Sequence, residues 1–110
     1  MADDVANKAL EAIEMARNTG KLRRGTNEVT KALERGIAKL VVVAKDVSPP
    51  EVVMHLPVLA KDKGIPCVTA GTKEELGTAS GISVPTSAVA IVEVGSADKL
   101  IRQLSSVKGE

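Results

Sequence analysis

Apolar positions along this chain follow the two periods of regular structure, with polar and glycine-rich breaks between them. From Val5 to Arg17 they fall on one helical stripe, Ala6, Ala9, Leu10, Ile13 and Ala16. Asp3 or Asp4 is placed to cap that helix and Gly20 to stop it. A second helix is predicted to start with Thr26 as its N-cap and to run to about Arg35, ahead of Gly36. Leu40-Val41-Val42-Val43-Ala44 is an unbroken, mostly β-branched run, as in a strand buried on both faces. Ser48-Pro49-Pro50 opens a third helix, since proline is accepted in a first helical turn. Val52, Val53 and Leu56 give that helix an apolar face, and Pro57 is expected to kink or restart it.

Further on, Gly64-Ile65-Pro66 leads into a short strand at residues 67–70. Thr72 with Glu75 three residues later has the form of a capping box, opening a short helix. Gly77, Gly81 and Pro85 are read as punctuating a long loop. Ala88 to Val94 is another apolar strand, and Ser96 is expected to cap a last helix carrying Leu100, Ile101, Leu104 and Val107. Helices alternating with solidly apolar strands give an α/β fold: a single-domain, three-layer α/β/α sandwich around a small mixed sheet. At 110 residues, one domain over residues 1–110 accounts for the chain.

Composition narrows the function. Hydrophobic residues make up 44% of the chain, yet there is no Phe, Tyr or Trp. The core is therefore aliphatic, and modes of nucleic-acid binding that stack bases on exposed rings are excluded. Net charge is only +1, but it is unevenly spread. Residues 17–45 carry eight Lys and Arg against Glu28 and Glu34, a local +6; seven cations against twelve carboxylates leave −5 elsewhere. Such polarity fits either a polyanion footprint or a solvated helix face.

Cys67 is the one cysteine, so no disulfide framework or thiol metal cluster exists, and its apolar setting predicts a buried, inert thiol. The acidic start Met1-Ala2-Asp3-Asp4 is unlike a signal peptide, and no apolar stretch nears the roughly 18 to 20 residues that span a bilayer. A cytoplasmic location without membrane association is the expectation. His55, mid-helix, reads as a packed or surface histidine rather than a general base. With no His/Cys spacing for a metal, no catalytic set and no cofactor motif, an enzyme is not expected.

The most informative stretch is Lys21-Leu22-Arg23-Arg24-Gly25-Thr26-Asn27-Glu28-Val29-Thr30-Lys31. It is read as a basic turn followed by a helix N-terminus, whose free N–H groups and dipole suit phosphate. Asn27, Glu28 and Lys31 share one face. Among them they offer donors and acceptors matched to a guanine edge, or they face water on a capped helix. The loop Leu76 to Thr86 carries Ile82 and Val84, which either cover an extruded base or fold inward. It lacks the Lys-Ser/Thr ending of a phosphate loop. A nucleotide-binding domain using the 77–81 loop, or a protein-interaction module, remains open on these residues alone.

Arg24-Gly25-Thr26-Asn27-Glu28-Val29-Thr30-Lys31, followed by Arg35-Gly36, resembles the ribosomal protein "L-seven-Ae" family of kink-turn-binding proteins. The likeness continues through residues 40–46, His55-Leu56-Pro57, Gly64-Ile65-Pro66, Leu76-Gly77 and Gly81-Ile82, and it looks like an archaeal member. The resemblance implies recognition of the kink-turn, an RNA bulge flanked by tandem sheared G·A pairs. By position, Asn27, Glu28 and Lys31 would contact the guanines, while Gly25 and Thr26 let the helix end approach the backbone. Arg24 and Lys73 would lie on or beside the RNA backbone. Val52 would sit near the extruded nucleotide, and Ile82, Ser83 and Val84 would pack on bulged bases.

Three positions depart from the family pattern: Ser83 stands where many archaeal relatives have a carboxylate, Ser48 where there is a glutamate, and Cys67 where there is a tyrosine. The implied partners are ribosomal RNA, box C/D and H/ACA guide RNAs and RNase P RNA, with the proteins of those particles. The free protein would be a monomer, with no metal and no cofactor.

Overall fold

The run Leu40–Val43 lies at the centre of the molecule because no side of it faces water: all four residues are buried. The computed structural model describes residues 2–47, 51–82 and 84–101. The elements run α1 (Ala2–Thr19), β1 (Lys21–Arg24), α2 (Thr26–Glu34), β2 (Leu40–Val43), α3 (Glu51–Asp62), β3 (Cys67–Thr69), α4 (Lys73–Ser80) and β4 (Ala88–Glu93). A 3-10 turn, Gly95–Ala97, leads into helical residues 98–101.

The sheet is mixed, in the order β1-β4-β2-β3. β4 pairs antiparallel with β2 (Leu40↔Ile91, Val42↔Val89) and with β1, while β3 runs parallel to β2. The two-residue period of the central strands sorts their side chains between two layers. Leu40, Val42, Val89 and Ile91 join Ala9, Ala12, Ile13 and Ala16 of α1, and Leu76 and Ala79 of α4, on one face. Val41, Val43, Ala88 and Ala90 meet Val29, Ala32 and Leu33 of α2, and Leu56 and Ala60 of α3, on the other. This is the three-layer α/β/α sandwich expected from the pattern. Small residues on α1 and β4 let the layers close without any aromatic ring.

Several local expectations are corrected. Lys21–Arg24 is an edge strand rather than a basic turn: only Leu22 of its four residues is buried, so its apolar signal is a single residue. The helix-forming period extends α1 beyond both predicted ends, so Asp3 and Asp4 lie within it instead of capping it. α1 does stop at Gly20 as expected, but not through a left-handed turn. Instead, a Cβ there would lie 1.9 Å from the Glu93 carbonyl oxygen, so the residue permits close strand approach.

Gly77 is not in a loop but inside α4, where a Cβ would meet the Val84 carbonyl oxygen at 2.2 Å. The 72–75 capping box is present, with Thr72 Oγ1 accepting from the Glu75 N–H at 3.1 Å. α3 continues through Pro57 as one helix without a restart. Ser96 lies in the 3-10 turn, where its N–H donates to Thr19 Oγ1 at 2.9 Å, so it closes the turn onto α1 rather than capping a helix. Cys67 is only partly buried, because β3 is the outer strand of the sheet. Ser48, Pro49 and Pro50, with Leu104 and Val107, lie outside the described residues.

Candidate nucleic-acid interface

The β1–α2 junction turns on Gly25, whose φ of 91° and ψ of 151° belong to a region almost closed to other residues. Gly25, not Thr26, is the N-cap of α2, and no side chain caps the helix. The position favours a glycine for backbone reasons alone, since a Cβ there would meet nothing within 4 Å. The first turn of α2 thus presents its backbone N–H groups and dipole without a competing side-chain acceptor.

Asn27, Glu28 and Lys31 are exposed on that turn and the next. Glu28 Oε2 and Lys31 Nζ are 3.6 Å apart, with about half of each side chain in solvent. An exposed pair like this contributes at most about 1 kcal/mol, so a ligand can displace it at little cost. Thr30, facing the other way, donates its one hydroxyl proton to the Thr26 carbonyl at 2.7 Å. His55 Nε2, 2.8 Å from the same hydroxyl oxygen, is therefore the donor in that contact. The pair ties α3 to α2.

A second segment lies against the first. α4 ends in the left-handed Gly81, with the Gly81 N–H on the Thr78 carbonyl (3.1 Å) and the Ile82 N–H on the Gly77 carbonyl (3.0 Å). These two bonds make a Schellman motif, which fixes the direction in which the chain leaves at Ile82. Ile82, Val84 and Pro85, with Glu74 and Thr78, line a cleft of about 320 Å³. Val84 is 60% exposed and Ile82 half-buried.

Three contacts hold the two segments together. Arg24 donates from Nε (3.0 Å) and from Nη2 to the Ser80 carbonyl, the Gly25 N–H donates to the Ala88 carbonyl (2.9 Å), and the Thr26 and Ser87 hydroxyls lie 2.6 Å apart. A polar helix end and an aliphatic loop therefore share one edge of the sandwich, although more than fifty residues separate them in sequence.

The remaining expected site residues are placed as follows. Lys73 is half-buried at the start of α4, its N–H donating to Asp46 Oδ1 (2.8 Å) and its carbonyl accepting from Thr86 (3.1 Å). Val52 lies in the first turn of α3, with its side chain outside the description; Ser83 lies outside it altogether. Sequence reasoning missed Ser80 and Ser87, whose roles rest on a carbonyl and on a partner across the edge, neither of which leaves a motif. Among the described residues no group of three or more His, Cys, Asp or Glu could hold a metal, and no helix is long and apolar enough to cross a membrane.

Fold and edge together suit a small RNA-binding module, the class to which the comparisons point. A solved structure titled "Giardia lamblia 15.5kD RNA binding protein" matches with a TM-score of 0.89 and 32% sequence identity, covering 96% of this chain and 88% of that one. The model of the ribosomal protein L7Ae/L30e/S12e/Gadd45 family matches residues 7–101, and the chain belongs to that family.

Proposed function

We propose that this protein recognises kink-turn RNA and stabilises its bent form. Asn27, Glu28 and Lys31 would read the guanines of the sheared pairs, and Ile82, Ser83 and Val84 would cover bulged nucleotides. The observation that carries this reading is the shared edge: an uncapped helix end bearing Asn27 and Glu28, fastened through Arg24 and Thr26 to the segment bearing Ile82 and Val84. Gly25 and Thr26 would let that end approach the RNA backbone, with Lys73 and Val52 at the border of the site.

Binding would act by population shift, the protein favouring the kinked over the extended RNA. The bound unit would be a platform in ribosomal RNA, box C/D and H/ACA particles and RNase P, as the archaeal resemblance implies, and it would act in the cytoplasm. Proteins of those particles would dock away from the RNA. Met54 and Val58 stand 61% and 71% exposed over a mostly apolar groove between α2 and α3, a surface suited to that role.

A mobility-shift titration tests the reading, using a kink-turn RNA with its sheared pairs intact or replaced by Watson–Crick pairs. Preference for the intact RNA is expected. Equal binding to both would reduce the protein to a general polyanion binder.

A further inference from the structure

The last carbonyls of a helix have no partner within it, and α4 satisfies its own from outside. The Gly77 and Thr78 carbonyls take the N–H groups of Ile82 and Gly81, and Arg17 Nη1 adds a longer contact of 3.4 Å to Thr78. The Ser80 carbonyl is met by Arg24, through Nε and Nη2 at once. Arg24 is the residue before Gly25, and Ser80 is two residues before Ile82. The guanidinium therefore bridges the point where α2 begins and the point where the apolar loop begins.

We propose that Arg24 is a positioning residue: clamped on the Ser80 carbonyl, it sets the spacing between the base-reading end of α2 and the loop around Ile82. This rests on the kink-turn reading and adds to it a built-in gauge between the two halves of the footprint. A planar fork donating from two nitrogens to one oxygen fixes both distance and orientation. The negative end of the α4 dipole favours a cation held there, and partial burial reduces competition from water for the bond. A lysine at position 24 would keep the charge but replace the fork with one flexible ammonium, so charge and geometry can be separated. The Ser80 carbonyl takes two of the five guanidinium N–H groups, so contact with phosphate through the others is compatible with the clamp but is not its cause.

The test uses the full chain with Arg24→Lys, Arg24→Gln and Ile82→Ala, titrated against kink-turn RNA over a range of KCl, with thermal unfolding measured for each variant. Arg24→Lys is expected to weaken binding by roughly tenfold, the scale of coupling between neighbouring groups, with its salt slope unchanged. Ile82→Ala is expected to cost less in the Arg24→Lys background than in the wild type, because the loop has already lost its placement.

Wild-type affinity in Arg24→Lys, with a slope lower by about 0.7 to 0.9 in Arg24→Gln, would make Arg24 an ordinary phosphate contact and overturn the proposal. Independent, multiplying losses for Arg24→Lys and Ile82→Ala would overturn it too. If the variants fold poorly, the Nε–H resonance of Arg24 in the wild-type protein decides. Slow exchange with water both without and with RNA is expected, and protection that arises only on RNA binding would refute the clamp. Failure of the wild type to prefer kink-turn RNA would overturn the functional reading instead, and the free-state Nε–H protection would still report on the clamp.

Discussion

The hydroxyls of Thr26 and Ser87 meet at 2.6 Å, joining the first turn of α2 to the residue before β4. The bond is partly buried, and neither hydroxyl can be lost without leaving the other short of a partner. Thr26→Ala and Ser87→Ala are each expected to lower stability by about 1 kcal/mol in urea unfolding, and the double variant by clearly less than the sum. Strict additivity would mean the two hydroxyls do not depend on one another.

Base reading and general charge attraction separate in a second comparison. Glu28 is anionic, so its removal should strengthen binding if charge alone holds the RNA. If Glu28 accepts from a guanine, Glu28→Ala is expected to cost about 1 to 3 kcal/mol of affinity for a kink-turn RNA. Lys63→Ala, on an exposed lysine beyond α3, should change little. Titration of both variants checks this, and equal losses would remove Glu28 from the guanine contacts.

Lys31 carries a different signature. Where its ammonium displaces counterions from the RNA as well as reaching a base, Lys31→Ala is expected to flatten the dependence of log K on log salt by about 0.7 to 0.9. A binding series over KCl concentrations measures it; an unchanged slope would confine Lys31 to neutral hydrogen bonding.

Two glycines are expected to fail in different ways. Gly25→Ala finds open space but an unfavourable backbone, so a cost of about 1 to 3 kcal/mol should appear with the same denaturant m-value. Gly77→Ala drives a Cβ against the Val84 carbonyl oxygen. A loss of about 1 to 3 kcal/mol or more is expected there, with weakened RNA binding because the 82–84 loop must move. Chemical denaturation and RNA titration of both variants check this.

The central strands were legible because Leu40–Val43 and Ala88–Ile91 are apolar without interruption, a pattern that only a doubly covered strand sustains. β1 was not legible, since three of its four residues are cations and its identity as a strand comes from pairing with β4. The sequence predicts a short helix after Thr72 that gives way to loop at Gly77, short of the full α4, because two cues conflict. The 72–75 capping box announces a helix, while Gly77, tolerated for the sake of a backbone crossing, argues against one. Within the site, Asn27, Glu28 and Lys31 could be placed on one face from spacing alone. Their union with the Ile82 segment could not, since it depends on a carbonyl at Ser80 and a hydroxyl at Ser87 that no local pattern marks.

Both core clusters are aliphatic in a chain without a single Phe, Tyr or Trp, so the protein has no fluorophore of its own, and its near-ultraviolet absorbance is negligible beside that of a nucleic acid. One tryptophan introduced by Val84→Trp, at the exposed rim of the cleft, would be the sole emitter in the molecule. Quenching or a blue shift of that single ring would report nucleotide arrival at the loop in real time, against a dark protein background.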